Sequence, residues 1–200
     1  AGRRLAAALH QQLPGHRAGD GTVVLALPRG GVPVAAPVAA ALGAPLGLLI
    51  VRKIGAPSQP ELAMGAVASG GVVIRNELII RAIGLAETEF GRAAALAEAE
   101  LAAKERLYGA RAGAVGIAGK TVILVDDGAA TGATMRAAVA AAKARRAGRV
   151  VVALPTASEE AAALLAAGAV ELVCRDTPGP YFAVGDWYSD FNQVSDDEVR

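Results

Sequence analysis

Four consecutive apolar residues, Val122, Ile123, Leu124 and Val125, run without a break into two adjacent carboxylates, Asp126 and Asp127. A series of small residues follows, Gly128, Ala129, Ala130, Thr131, Gly132, Ala133 and Thr134, and then a helix-like stretch over residues 135–146. A continuous apolar run of this kind has the character of a parallel strand buried on both faces. Such strands end at the carboxyl edge of a sheet, where open α/β proteins bind ligands. Small residues let backbone N–H groups approach an anion closely, and a helix N-terminus adds partial positive charge. The hydroxyls of Thr131 and Thr134 can donate to phosphate oxygens. Two carboxylates beside such a cradle would repel the phosphate unless they face another part of the ligand. Vicinal sugar hydroxyls, or a Mg2+ ion, fit that role. The pattern suggests a ribose 5-phosphate, with the acids on the 2- and 3-hydroxyls and the loop on the phosphate.

At these residues the chain resembles the type I phosphoribosyltransferases, whose signature is an apolar strand, two acidic residues and a loop ending Thr-Gly-x-Thr. The wider pattern, with LPRGGVPVA, VRKIGAP and ELAMGAV, looks most like the phosphoribosyltransferase-like proteins of bacteria. The resemblance covers about residues 23–174. It implies a three-layer α/β/α fold with a mostly parallel sheet, forming one domain over residues 1–200. Its core would span about 20–175, a small hood about 1–19 and 176–200, and a helical insert about 86–112. It also implies a reaction in which a nitrogenous acceptor displaces pyrophosphate from 5-phosphoribosyl-1-pyrophosphate. Mg2+ would be the cofactor, held mostly by substrate and water rather than by a protein cluster. The expected assembly is a homodimer. The rival reading is a regulatory or accessory domain that binds the same ligand without turnover.

Composition bounds these readings. Hydrophobic residues make up 54% and charged residues 20% of the 200 residues, enough apolar material for one α/β core and too much for disorder. A net charge of +1 argues against a dedicated nucleic-acid binder. The single cysteine, Cys174, excludes an internal disulfide framework and sits in an apolar, strand-like run. Both histidines, His10 and His16, fall near the start and read as surface residues. No signal peptide is evident, so the cytoplasm is the expected location. Residues 32–51 carry no charge, but Pro33, Pro37, Gly43, Pro45 and Gly47 break them into a short helix, a turn and a strand rather than a membrane span. The ragged ends suggest a trimmed chain or a piece of something longer.

Strand and helix alternate along most of the chain, which predicts a parallel sheet covered on both faces. A helix is expected over residues 2–13 and a strand over 22–27. Next come a helix over 32–42, a strand over 46–51, and a polar loop from Arg52 to residue 61, mobile over 54–61. Two strands, 63–68 and 72–75, flank a turn at Ser69, Gly70 and Gly71. A long helix over 86–111 carries Glu100 and Lys104 as a favourable i,i+4 pair and serves as a peripheral arm, lid support or oligomer contact. A linker at 113–119 leads to the strand already described. Strands over 149–154 and 169–174 flank a helix over 158–167. Residues 116–121 imitate part of a nucleotide-binding P-loop, but they precede a strand instead of following one.

A second anion site emerges at the end of the first strand. Arg29 offers a forked cation, and Gly30 and Gly31 expose backbone N–H groups, a plausible pyrophosphate grip. The resemblance implies the same role and a cis peptide there, expected at Arg29–Gly30. Arg52 and Lys53 are expected on the same edge as further diphosphate cations. Five of the seven aromatic residues cluster in the tail, at Tyr181, Phe182, Trp187, Tyr188 and Phe191, and aromatic faces stack on planar heterocycles. By the resemblance, Phe182 would stack the acceptor base and Asp190 would lie near base and metal. One departure weakens a 6-oxopurine acceptor: that branch carries Asp just before the first loop threonine, where this chain has Ala130.

Overall fold

The computed structural model describes residues 1–12, 21–109, 115–168 and 170–200. Helix α1 (Gly2–Gln12) precedes β1 (Thr22–Ala26), α2 (Gly31–Leu42) and β2 (Leu46–Leu48). Strands β3 (Val51–Ala56), β4 (Gln59–Ala68) and β5 (Val72–Arg75) follow, then α3 (Glu77–Ala82) and α4 (Glu87–Tyr108). The second half runs β6 (Thr121–Val125), α5 (Ala133–Ala144), β7 (Arg149–Thr156), α6 (Glu159–Ala167) and β8 (Glu171–Asp176). A 3-10 turn (Val184–Trp187) and the short α7 (Asp196–Val199) close it.

Five strands form one parallel sheet in the order β2-β1-β6-β7-β8, with β1 and β6 in the centre. Strand β1 is buried at every position, and Val122, Ile123, Leu124 and Val125 of β6 are all 0% exposed. Period-two alternation sorts these side chains into two cores. Val24, Ala26, Ile123, Val125, Val151 and Ala153 face α1 and α2. Val23, Leu25, Val122, Leu124, Val152 and Leu154 face α5 and α6. This is the three-layer α/β/α architecture expected.

The chain departs from expectation after β2. The predicted strand over 46–51 is two strands in two sheets. Leu49 still donates to the Ala26 carbonyl at 3.0 Å, but Ile50 donates to the Ser69 hydroxyl at 3.1 Å, and Ser69 donates its own N–H back to Ile50 O at 2.9 Å. Ser69, 0% exposed, therefore pins the crossover. Beyond it, β3, β4 and β5 make a separate antiparallel sheet. The expected mobile loop at 52–61 is instead most of a β-hairpin. Its proline-rich composition marks the tip and an irregular register at Ile54, Gly55 and Ala56, not a loop. The strands expected at 63–68 and 72–75 are present in β4 and β5.

Helix α4 covers one face of the small sheet, while α5 touches both sheets. Within α4 the expected Glu100–Lys104 pair is replaced by outside partners. Glu100 reaches Arg52 at 3.7 Å and Lys104 reaches Asp196 at 3.3 Å. Residues 32–51 form α2, a turn, β2 and the crossover, and no helix among the described residues is long and apolar enough to cross a membrane. The predicted ends of α1 at residue 13 and of α4 at 110–111 lie outside the described residues. So do His16, the linker's first residues at 113–114 and the first residue of the strand expected from 169.

Candidate functional site

Strands β1 and β6 are neighbours in register, Ala26 beside Val125, so their C-terminal loops leave the sheet side by side. The loop after β1 holds Arg29, Gly30 and Gly31; the loop after β6 holds Asp126, Asp127 and residues 128–134. The two are in contact. A Cβ at Gly30 would overlap Oδ2 of Asp127, and one at Gly31 would lie 2.7 Å from the Val125 carbonyl and 3.0 Å from the Asp126 Cα. Glycine is required at both positions for this approach, not for a turn. The cis peptide in this loop is Pro28–Arg29, one bond earlier than expected.

Asp126 lines a hollow of about 120 Å3 together with Gly128, Ala129, Ala130, Thr131, Gly132, Ala133, Thr134 and Met135. The first turn of α5 opens onto it. Gly132 caps that helix in the left-handed region (φ 70°), and no side chain bonds back to the helix from it. The N–H groups of a helix's first turn have no intrahelical partner, so they are available to an anion here. Thr131 Oγ1 accepts weakly from Ala133 N at 3.4 Å, which turns its hydroxyl to the same hollow. The loop is braced from behind by the β7–α6 junction. Ala129 N donates to Thr156 O at 3.1 Å and Ser158 N to Ala129 O at 2.9 Å. The Ser158 hydroxyl donates to Ala130 O at 2.7 Å while accepting from Ala161 N at 2.9 Å as the α6 cap.

Asp127 lines a neighbouring cavity of about 380 Å3 with Arg29, Gly30, Tyr188, Asp190 and Phe191. Tyr188 donates its phenol proton to the Asp127 carbonyl at 2.5 Å, tying the C-terminal segment to the acid pair. Sequence reasoning treats Tyr188 only as one aromatic among five. It likewise passes over Ser158, although Ser before two glutamates is a recognisable helix start.

The electrostatics are unusual for a surface loop. Burial pushes the Asp126 carboxyl well above the usual carboxylate range, with the Asp127 charge adding to it. Burial also raises Asp127, opposed by hydrogen bonds from its neighbours. Among the described residues neither acid has an ion-pair partner. Tyr188 is raised as well, by burial first and then by Asp127. Two desolvated acids without a cation are the expected mark of a site awaiting hydroxyl donors or a metal. Hard carboxylate oxygens suit Mg2+, which typically takes one or two of them and fills its remaining positions with phosphate and water.

The remaining candidates divide. Arg52 lies in β3, and its charge and that of Arg29 each oppose the rise of the Tyr108 phenol, which burial and Asp196 together push up to about 12. Lys53 lines a hollow between the β3–β4 hairpin and α4, with Pro57, Glu89 and Glu100. Asp190 reaches the Asp127 cavity and accepts from Asn192 at 2.6 Å. Phe182 is 82% exposed, whereas Tyr181 stacks on Trp187 at 5.9 Å and Tyr188 tilts against Phe191 at 5.1 Å.

The central loops of the parallel sheet thus bring a run of small residues, an acid pair and a second glycine loop together at one edge. Comparison with known proteins gives the family. The phosphoribosyl transferase domain family matches residues 1–190, and the chain belongs to it. Two Mycobacterium tuberculosis proteins, from strains CDC 1551 and H37Rv and both provisionally named phosphoribosyl transferases, are 43% identical over 199 residues. That alignment takes in 100% of this chain but only 44% of theirs, so the chain spans less than half the length of these curated relatives. Among solved structures, the TT1426 protein of Thermus thermophilus superposes with a TM-score of 0.87 at 41% identity, over 99% of this chain and 91% of that one.

Proposed function

We propose that this domain binds 5-phosphoribosyl-1-pyrophosphate and transfers its phosphoribosyl group to a nitrogenous acceptor, releasing pyrophosphate. The observation that carries the reading is the contact of Gly30 with Asp127. It brings the two glycine-bearing loops and the acid pair together in one place. The N–H groups of residues 128–134 and the hydroxyls of Thr131 and Thr134 take the 5-phosphate. Asp126 and Asp127 accept from the ribose hydroxyls. Arg29, the N–H groups of Gly30 and Gly31, and Arg52 receive the leaving pyrophosphate. Asp190 lies at the acceptor side of the same cavity.

The anomeric carbon becomes cationic as pyrophosphate departs, so catalysis rests on charges already in place. Mg2+ would neutralise the diphosphate, held by its oxygens, the ribose and water beside Asp126 and Asp127. Tyr188, bonded to the Asp127 carbonyl, fixes the acid pair and keeps the C-terminal segment over the site, limiting water's access to the cation. The same reading expects a homodimer in the cytoplasm, engaging neither membrane nor nucleic acid.

A second reading is favoured by Ala130, which supplies no acid for the acceptor's proton, and by the greater length of the relatives. In it the domain binds the same ligand and regulates or assists without turnover. Calorimetric titration with 5-phosphoribosyl-1-pyrophosphate and Mg2+ tests the shared part. A pyrophosphate-release screen over purines, pyrimidines and small amines separates the two. No binding in the titration removes both readings.

A further inference from the structure

The cavity of Asp127 has one wall of a different kind from the rest. Asp190, Phe191, Asn192, Gln193 and Val194 line it together with Arg29 and Gly30. This stretch belongs to no helix or strand, so its position depends on what fixes its two ends. One end is Tyr188, whose phenol donates to the Asp127 carbonyl at 2.5 Å. The other end is α7, which docks on α4.

The docking of α7 has three parts. Ser195 caps the helix: its hydroxyl accepts from Glu198 N at 3.2 Å, and its own N–H donates to Glu198 Oε2 at 2.7 Å. Val199 is buried in the core that also holds Leu101 and Tyr108 of α4. Asp196 accepts from the Tyr108 phenol at 2.6 Å and from Lys104 Nζ at 3.3 Å. Lys104 and Tyr108 are i,i+4 neighbours, so one face of α4 presents both donors. Tyr108 is itself buried, and a buried hydroxyl that loses its acceptor is left bare at a cost. The Tyr108 phenol first and then Lys104 hold the Asp196 carboxyl below its usual range, and the charge of Arg29 adds to this. The end of the wall therefore stands within the field of the arginine that lines the cavity.

We propose that Asp196 is a positioning residue: latched to Tyr108 and Lys104 of α4, it holds residues 190–194 as a strap along the diphosphate side of the site. The proposal rests on the ligand reading above and adds what keeps that wall in place. It also gives α4 a task, because the helix that covers the small sheet carries the strap's anchor. A fixed strap shields the cavity from water, which strengthens the attraction between Arg29 and a diphosphate. The 5-phosphate has its own hollow, lined by Asp126 and residues 128–135, in which the strap takes no part. The two ends of the ligand therefore respond differently when the latch is broken, and that difference separates positioning from general stability.

Tyr108→Phe keeps the ring in the core and removes the hydrogen bond to Asp196. Chymotrypsin reads the strap without any ligand. Phe191, 48% exposed, lies between the two ties, and Phe182, 82% exposed, lies ahead of both and serves as the internal control. Cleavage after Phe191 relative to Phe182 is expected to rise about three- to tenfold in Tyr108→Phe. Asp196→Ala, which breaks the latch from its other side, gives the same rise. Calorimetry in Mg2+ then reads the site. Tyr108→Phe is expected to weaken 5-phosphoribosyl-1-pyrophosphate about three- to tenfold and to leave ribose 5-phosphate at the wild-type Kd. An unchanged cleavage ratio in both variants, an equal loss for the two ligands, or no loss for either, each overturns the proposal and leaves the ligand reading standing. A wild-type chain that binds neither ligand overturns that reading and the strap's role together.

Discussion

The two sheets of this molecule are built on different terms. The central strands of the parallel sheet are buried throughout, and their loops are held by both neighbours and the next junction along. The antiparallel sheet has half-exposed strands, such as β5, and an irregular register near its tip. The loops proposed to hold the phosphorylated sugar hang from the first sheet. The second carries Arg52, paired with Glu100 of α4, and packs against α4 and α5. Positioning acids to within a fraction of an ångström needs a support that does not move, and a double-sided core supplies it.

If that contrast is right, the largest effects come from the acid pair. Asp127→Asn is expected to lower affinity for 5-phosphoribosyl-1-pyrophosphate by about 100-fold or more, since it removes the charged acceptor of the ribose hydroxyls. The same variant is expected to be more stable without ligand, by about 0.5–2 kcal/mol, because it removes a desolvated charge. Calorimetry and thermal unfolding measure the two halves. Lost affinity together with lost stability would mean that Asp127 is a structural residue.

The pH dependence follows from the same charges. Both acids have folded-state pKa values above their unfolded ones. The folded state therefore holds protons longer than the unfolded state as pH rises. Their penalty is absent below the unfolded value and grows as pH climbs through the raised values. Between mildly acidic and neutral pH, the ligand-free wild type should lose stability relative to Asp126→Asn. Melting curves of the two proteins across that range should diverge as pH rises; parallel curves would contradict the burial argument.

Next in size is Gly30→Ala. A methyl there collides with Asp127 Oδ2 and forces the acid or the loop aside. A displacement near 1 Å at such a site costs about 100-fold in rate, while overpacking costs about 1–3 kcal/mol in stability. A smaller effect is expected from Ser158→Ala. It removes the α6 cap, worth about 1 kcal/mol, and the hydrogen bond to Ala130 O. Ligand affinity should fall only several-fold, because the backbone bonds at Ala129 remain.

Legibility in the sequence divides along the same boundary. Strand β6, its acids and its loop could be read because a buried parallel strand, a carboxylate pair and a helix start each leave a local signature. The three-layer fold followed from alternation of strand and helix. The switch between sheets left no such mark. Leu49 and Ile50 are 0% and 4% exposed, and an apolar run reads the same whether it continues in one sheet or crosses to another. The information lies in Ser69, distant in sequence, whose hydroxyl meets Ile50 N only once folded. Tyr188 was opaque for the same reason: its partner is a backbone carbonyl 61 residues away. The contact between Gly30 and Asp127 was half legible. The sequence suggested that the two loops share an edge, but not that one glycine exists to admit a carboxylate oxygen.

The smallest effects test the hairpin, and here the two cations should part company. Arg52 meets Glu100 at 3.7 Å with both side chains about half exposed, an ion pair that contributes about 0–1 kcal/mol to stability. Its charge and that of Arg29 each act on the Tyr108 phenol, and in the proposed site Arg52 would add to the field on a diphosphate. Arg52→Ala should therefore leave melting nearly unchanged and weaken pyrophosphate binding by several-fold, in a manner that added salt reduces. Lys53→Ala should weaken pyrophosphate binding less than Arg52→Ala does, because Lys53 lines the hollow beside α4. Equal losses in the two variants would mean that the hairpin closes further over the site than its register allows, and the division between a rigid parallel sheet that holds ligand and a second sheet that supports it would have to be redrawn.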